Sequence, residues 1–254
     1  MLRLVALLVA ALVVPVSAQA ATNPVVAAAK RTATVKSSKL QLNVKTTIPG
    51  RATMTLTGDG AHSGTSVELT MRTRAVGAPV TIDAIMLNER GASVMYMRSP
   101  SFQQQLPSGK SWLRVDLSKQ AASLALDFSS LLNTSSFAPL EKGLVSTTRL
   151  GRETVAGAST THYRAVIDIR RAARAVPAYG KQVAALEKAT GVRLTKSSWN
   201  VWIGGDGRIR RMRFSTPAVA GGARGTTVQS ITFLAYDVPV SISAPPRAQV
   251  FMTP

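Results

Sequence analysis

From Lys39 onward, apolar and polar residues alternate along the chain. Leu40, Leu42 and Val44 are separated by polar residues, and so are Ala52, Met54 and Leu56, and then Val67, Leu69 and Met71. A period of two marks strands that bury one face and expose the other. Pro49-Gly50 and Gly58-Asp59-Gly60 are expected as turns between antiparallel neighbours. Three further strands follow at 80–87, at 92–98 after a turn over 88–91, and at 111–117 after the Pro107–Gly109 turn. In the last of these Leu113, Val115 and Leu117 face one way, and Trp112, Arg114 and Asp116 the other. The expected sheet has one apolar and one mainly polar side.

The rhythm breaks over 118–144, where Leu124, Phe128, Leu131, Leu132, Phe137 and Leu140 are scattered among serines and alanines. A short helix and a mobile apolar loop are expected there. Strands resume at 144–155 and 160–169. Residues 170–190 then carry helical spacing, with Val176, Tyr179, Val183 and Leu186 on one face and Gly191 placed as a C-terminal cap. A hairpin over 198–215, turning at Gly204–Gly207, and a strand at 226–236 precede an extended end at Pro245-Pro246. About ten strands with helices inserted late give an α+β class: a strongly curved antiparallel half-barrel with helices over its concave face.

The first twenty residues have the three parts of a secretory signal: Arg3, an apolar run from Leu4 to Val14, and small residues at Ala18 and Ala20. The run is shorter than the roughly 20 residues a spanning helix needs, so cleavage after Ala20 and an extracytoplasmic location are expected. The organisation read from the sequence is a signal peptide over 1–20, a flexible tether over 21–30, a half-barrel domain over 31–247 and a C-terminal tail over 248–254.

Composition narrows the chemistry. The chain has no cysteine, which removes disulfides, thiolate metal sites, a thiol nucleophile and a lipid-accepting cysteine. Its formal charge of +19 seeks anions. For an exported chain these are phospholipid headgroups, acidic glycolipids or wall polymers, and nucleic acid is not expected as a partner. A solvated basic face remains the plainer alternative.

Catalytic signals are thin. His62 and His162 have no second histidine at ligand spacing, and both are expected in structural or surface roles. There is no G-x-S-x-G elbow, phosphate-cradling loop or H-E-x-x-H pair. Among the carboxylates, Asp116, Asp127, Glu141 and Glu153 lack evident partners. No enzyme, cofactor or metal is expected. Met54, Met71, Met86, Met95 and Met97 gather in the first strands, mostly on the apolar parity. Thioether side chains suit long flexible ligands and suit ordinary core packing equally well.

Four stretches in order are similar to the LppX/LprG-type envelope lipoproteins of actinobacteria, which share the fold of the LolA and LolB carriers. They are GKSWLRVDL (109–117), LGRETVAGASTTHYRAVIDI (150–169), NVWIGGDGRIRRMRF (200–214) and YDVPVSISAPP (236–246). The resemblance implies a curved half-barrel closed by helices that holds acylated lipids or glycolipids between sheet and helices. A monomeric, non-enzymatic carrier follows, with a cavity lined by Leu42, Met54, Leu56, Leu69, Met71, Ile82, Met86, Met95 and Leu113. Leu124, Phe128, Leu131, Leu132 and Phe137 would form its lid or gate, and Arg170, Arg171, Arg174 and Lys181 would meet an anionic membrane surface or wall polymer. This chain departs from many such proteins in lacking the lipidated cysteine after the signal. Two alternatives stay open: an adhesive or regulatory envelope protein with a filled core and a polyanion-binding surface, and a hydrolase without a recognised motif.

Overall fold

The computed structural model describes residues 22–74, 79–117 and 137–252. In chain order the elements are α1 Pro24–Ala33, β1 Ser37–Thr47, β2 Met54–Ser63, β3 Ser66–Arg74, β4 Val80–Glu89, β5 Ala92–Arg98, α2 Pro100–Gln103 and β6 Trp112–Asp116. Then come α3 Ala138–Gly143, β7 Leu144–Val155, β8 Ala158–Asp168, α4 Ile169–Ala175, α5 Pro177–Thr190, β9 Lys196–Gly204, β10 Ile209–Ala220, β11 Ala223–Tyr236 and β12 Val250–Met252. The α+β class holds, with twelve strands in place of the ten expected.

All twelve strands form one curved sheet in the order β12-β6-β5-β4-β3-β2-β1-β11-β10-β9-β8-β7. It consists of two antiparallel meanders, β1 to β6 and β7 to β11, joined along a seam where Thr47 lies opposite Thr226 and Ser38 opposite Tyr236. Only β12 runs parallel to its neighbour, β6. It gets there because the chain after β11 returns across the outer face. Asp237 N–H donates to Ser37 O at 2.8 Å, Ser37 Oγ donates to Val238 O at 2.6 Å, and Ile242 packs on a cluster of Ile85, Val94, Tyr96, Trp112 and Val250. The outer face is therefore apolar at this end, where alternation predicted a polar side. The segment expected as a tail from residue 248 ends in a paired strand.

Elsewhere the outer face is polar, and one residue per strand stands in register from β8 to β5: His162, Trp202, Arg211, Thr232, Gln41, Asp59, Thr70, Asp83 and Arg98. Many of these neighbours touch. His162 stacks on Trp202 at 4.2 Å, Arg211 lies over Trp202 and donates to Thr232 at 3.0 Å, Gln41 donates to Asp59 at 3.1 Å, Thr70 to Asp83 at 2.9 Å, and Arg98 to Asp83 at 2.8 Å. Exposed pairs of this kind contribute little energy. A one-residue slip would break every link in the row and turn each apolar face outward, so the row specifies register.

Three local expectations are corrected. The tether is a helix: Asn23 caps α1 by accepting from Val25 N at 3.0 Å, Pro24 occupies its first turn, and Val25, Ala28 and Ala29 enter the core. Its small residues at helical spacing give a weak periodic signal, which is why the stretch looked structureless. Gly58 and Gly60 lie inside β2 and make no turn; the strand runs on to Ser63, and Gly64 turns it with φ +59°. The single helix expected over 170–190 is two, because proline disfavours helical geometry at the residue before it. Val176, which precedes Pro177, is extended at φ −133°. Gly191 caps α5 as expected, at φ +65°.

Candidate functional site

The inner face of the sheet carries the main core. β1 contributes Leu40, Leu42 and Val44, β3 contributes Val67, Leu69 and Met71, and β4 contributes Ala84 and Met86. On the second meander Ala165, Ile167, Trp199, Val201, Ile203, Met212 and Ile231 continue it. Helices α1, α3, α4 and α5 pack over β7 to β10 and against one another, presenting Val25, Leu140, Ile169 and Val183 to the core.

Register places all nine residues expected to line a cavity on this one face. Leu56 lies opposite Val44 and Met54 opposite Thr46. Met71 lies opposite Ile82, Met86 opposite Met95, and Leu113 opposite Met97. Leu42, Leu69, Met71, Met86 and Met95 are packed in the core, Leu56 and Ile82 lie against it, and Leu113 is half-buried. Met54 differs, being 46% exposed at the end of the face. Met71, Met86, Met95 and Met97 share this face as a thioether patch over β3 to β5, with Met86 and Met95 directly opposite each other and Met71 set apart beside Ile82.

Of the expected lid, Leu124, Phe128, Leu131 and Leu132 lie outside the described residues. Phe137 is buried with its ring 6.0 Å from that of Phe233. Together with Thr32, Val35, Ser38, His62 and Tyr236 these two rings enclose a cavity of about 10 Å³, room for one water molecule.

His62, expected in a turn, faces this cavity from β2, with Nδ1 3.5 Å from Ser38 Oγ. Burial pushes its pKa below the usual histidine value, against a smaller opposing hydrogen bond involving the Gly64 backbone. Because the folded state resists protonation, stability is complete above the unfolded-state pKa, near 6.5. It declines as pH falls through that value towards the folded pKa. The carboxylates of Asp59 and Glu89 are held below their usual range by hydrogen bonds from Arg72 and Tyr96, so they titrate at lower pH. The melting temperature is therefore expected to fall between pH 7 and pH 5, and His62→Gln should flatten that slope; parallel profiles for the two proteins would show that His62 is not its source.

The cationic set divides. Arg170 is half-buried and ion-paired with Glu187 at 2.5 Å. Arg171, Arg174 and Lys181 are exposed. An open depression of about 440 Å³ lies beside the Arg170–Glu187 pair, bordered by Gly191, Val192 and Arg193. The expected alternation along β10 fails at a bulge, so that Ile209 and Met212 both reach the core. Arg210 turns aside to pair with Asp206 at 2.9 Å and to lie 5.1 Å from the Tyr236 ring.

On the outer face, a cluster that sequence reasoning missed surrounds His162. Its Nδ1 lies 2.7 Å from Glu153 Oε1 and its Nε2 2.9 Å from Asn200 Oδ1, and Trp202 Nε1–H donates to Glu153 Oε2 at 2.8 Å. The indole and imidazole hydrogen bonds hold the Glu153 carboxyl below its usual range. Both ring nitrogens of His162 are engaged and the ring is stacked, so the cluster holds β7, β8 and β9 together. Among the described residues, no group of three His, Asp or Glu side chains is arranged to hold a metal ion, and no helix is long and apolar enough to cross a membrane.

No protein-family model and no curated protein sequence matches the chain. Solved structures do. LprF from Mycobacterium bovis superposes with a TM-score of 0.50 at 16% identity, over 87% of this chain and 95% of that one. The lipoprotein LppX from Mycobacterium tuberculosis gives 0.41 at 12% identity, over 87% and 100%. A LolA superfamily protein from Nitrosomonas europaea gives 0.26 at 12%, over 85% and 93%. Identity at this level speaks to architecture alone, and on that ground the chain has the fold of LprF, the curved α+β sheet that its resemblance to LppX/LprG-type proteins implied.

Proposed function

We propose that the chain is an exported, non-enzymatic carrier that shelters the acyl chains of a lipid or glycolipid between the sheet and the helices. The observation that carries this reading is the thioether patch on β3 to β5, within a fold shared with LprF. Unbranched methionines repack around flexible chains at small cost, and each methylene buried contributes about 0.8 kcal/mol. Two long acyl chains therefore hold tightly even after the costs of ordering them. Arg171, Arg174 and Lys181, exposed on α4 and α5, are offered to a headgroup.

Native mass spectrometry of protein purified from its own host tests the proposal. We expect a polypeptide mass beginning at Ala21, accompanied by species heavier by one lipid that disappear on organic extraction. Met71→Trp, which fills the patch, should abolish the heavier species while leaving a folded protein. A wild type that never carries extra mass would overturn the carrier reading.

One observation favours a second reading, a filled-core envelope protein whose basic surface does the binding: the cavity walled by Phe137 and Phe233 holds about 10 Å³. On that reading Met71→Trp unfolds the chain, since overfilling a packed core costs about 1–3 kcal/mol.

A further inference from the structure

Two hairpin tips at one end of the sheet form a single surface. The β1–β2 turn, residues 48–53, lies beside the β10–β11 turn, residues 221–222, because β1 and β11 are neighbours. The contact is close: a Cβ on Gly225 would fall 2.1 Å from Thr47 O and 2.7 Å from Ile48 Cγ1, and one on Gly221 would fall 2.2 Å from Arg51 Nη2. Glycines let Ile48 and Arg51 lie directly across the second hairpin.

This surface combines apolar groups with uncompensated charge. Met54, at the end of the inner face, is 46% exposed and Val219, on the outer face of the second hairpin, 37%, and Pro49 and Ala52 at the tip are also exposed. Lys45, Arg51 and Arg224 are exposed around them, and none of the three has an ion pair among the described residues. Local acids are lacking, for there is no Asp or Glu in 22–58 or in 207–236. Elsewhere carboxylates hold the arginines, as in Arg72–Asp59, Arg98–Asp83, Arg208–Asp237 and Arg210–Asp206.

We infer that the paired tips dock the protein on a bilayer rich in anionic phospholipid, with Met54 and Val219 entering the headgroup boundary and Lys45, Arg51 and Arg224 on the phosphates. Exposed apolar side chains ringed by cations are the arrangement that binds such an interface. A soluble polyanion would satisfy the cations and leave Met54 and Val219 in water. Of the other exposed apolar side chains, Val145 and Leu150 lie on edge strand β7, which also carries Glu153, and Leu234 and Met252 stand singly on β11 and β12. Docking at the tips also brings that end of the inner face to the membrane, since Met54 continues the apolar row of Leu56.

The absence of cysteine permits a direct test. Val219→Cys and Leu150→Cys, each carrying an environment-sensitive fluorophore, are mixed with vesicles of equal parts phosphatidylglycerol and phosphatidylcholine, with phosphatidylcholine alone, and with soluble polyphosphate. The label at 219 should shift to the blue and be quenched by headgroup nitroxides only with the anionic vesicles, while the label at 150 stays unchanged. In sedimentation, Arg51→Glu with Arg224→Glu should weaken anionic-vesicle binding at least about ten-fold, with an unchanged melting temperature; Arg149→Glu with Arg152→Glu, exposed on β7, should not. A shift at 150 in place of 219, equal binding to both vesicle types, or polyphosphate binding without vesicle binding would each overturn the inference. The readout is the docked surface and not cargo, so it stands or falls separately from lipid carriage.

Discussion

Gly60→Ala is expected to lower the melting temperature by about 6–12 °C, equivalent to about 3 kcal/mol in a chain of this size. A Cβ at this position would lie 2.3 Å from Glu68 O and 2.5 Å from Leu69 Cδ2. The carbonyl belongs to the neighbouring strand and cannot retreat without opening the β2–β3 ladder, and Leu69 is fully buried. Gly58 supplies the control. Its Cβ would meet Met71 Cγ at 3.4 Å and Thr70 O at 3.6 Å, ordinary van der Waals contacts, so Gly58→Ala should cost less than about 1 kcal/mol. Thermal unfolding followed by circular dichroism separates the two, and equal shifts would mean that the close approach at Gly60 relaxes freely.

Thr32→Val should cost about 2 kcal/mol despite preserving shape, because it strands a buried donor. Thr32 Oγ1 accepts from Ile209 N at 2.9 Å and donates to Ala28 O at 2.7 Å, and both Thr32 and Ile209 are buried. This hydroxyl ties α1 to the start of β10, next to the bulge where the ordinary ladder is interrupted. Arg31 adds only an exposed contact to Asp206 O at 3.2 Å. Urea unfolding of Thr32→Val and Thr32→Ser measures the difference. Serine keeps the hydroxyl and should recover most of the loss; a serine variant as weak as valine would assign the effect to packing.

Alternation made the strands legible, and parity alone assembled the nine inner-face positions, since a strand offers a side chain only two directions. It failed wherever a second layer or an irregularity intervened. Trp112 falls on the polar side by parity, yet a segment more than a hundred residues later covers it together with Tyr96. Gly58 and Gly60 carry the composition of a turn but serve as clearance for Leu69 and Met71. The start of α1 carried a readable signal in Asn23-Pro24, a capping residue followed by proline at the first helical position. The outer-face row from His162 to Arg98 is invisible in sequence, because it exists only once every strand has its register. The basic tips also escaped, since charges distant in the sequence become one surface only when β1 meets β11.

That meeting has a kinetic side. The seam joins residues about 180–200 positions apart, whereas every pairing within either meander is far more local. Loop-closure entropy must be overcome before such a contact returns any energy, and this slows folding. The first meander can assemble early, but β1 then waits as a bare edge until β11 arrives. During that wait Lys39 and Lys45, exposed on β1, are the side chains that discourage pairing with another copy. The return strand β12 adds a second long-range closure, pairing Val250–Met252 with β6 at the far edge of the first meander.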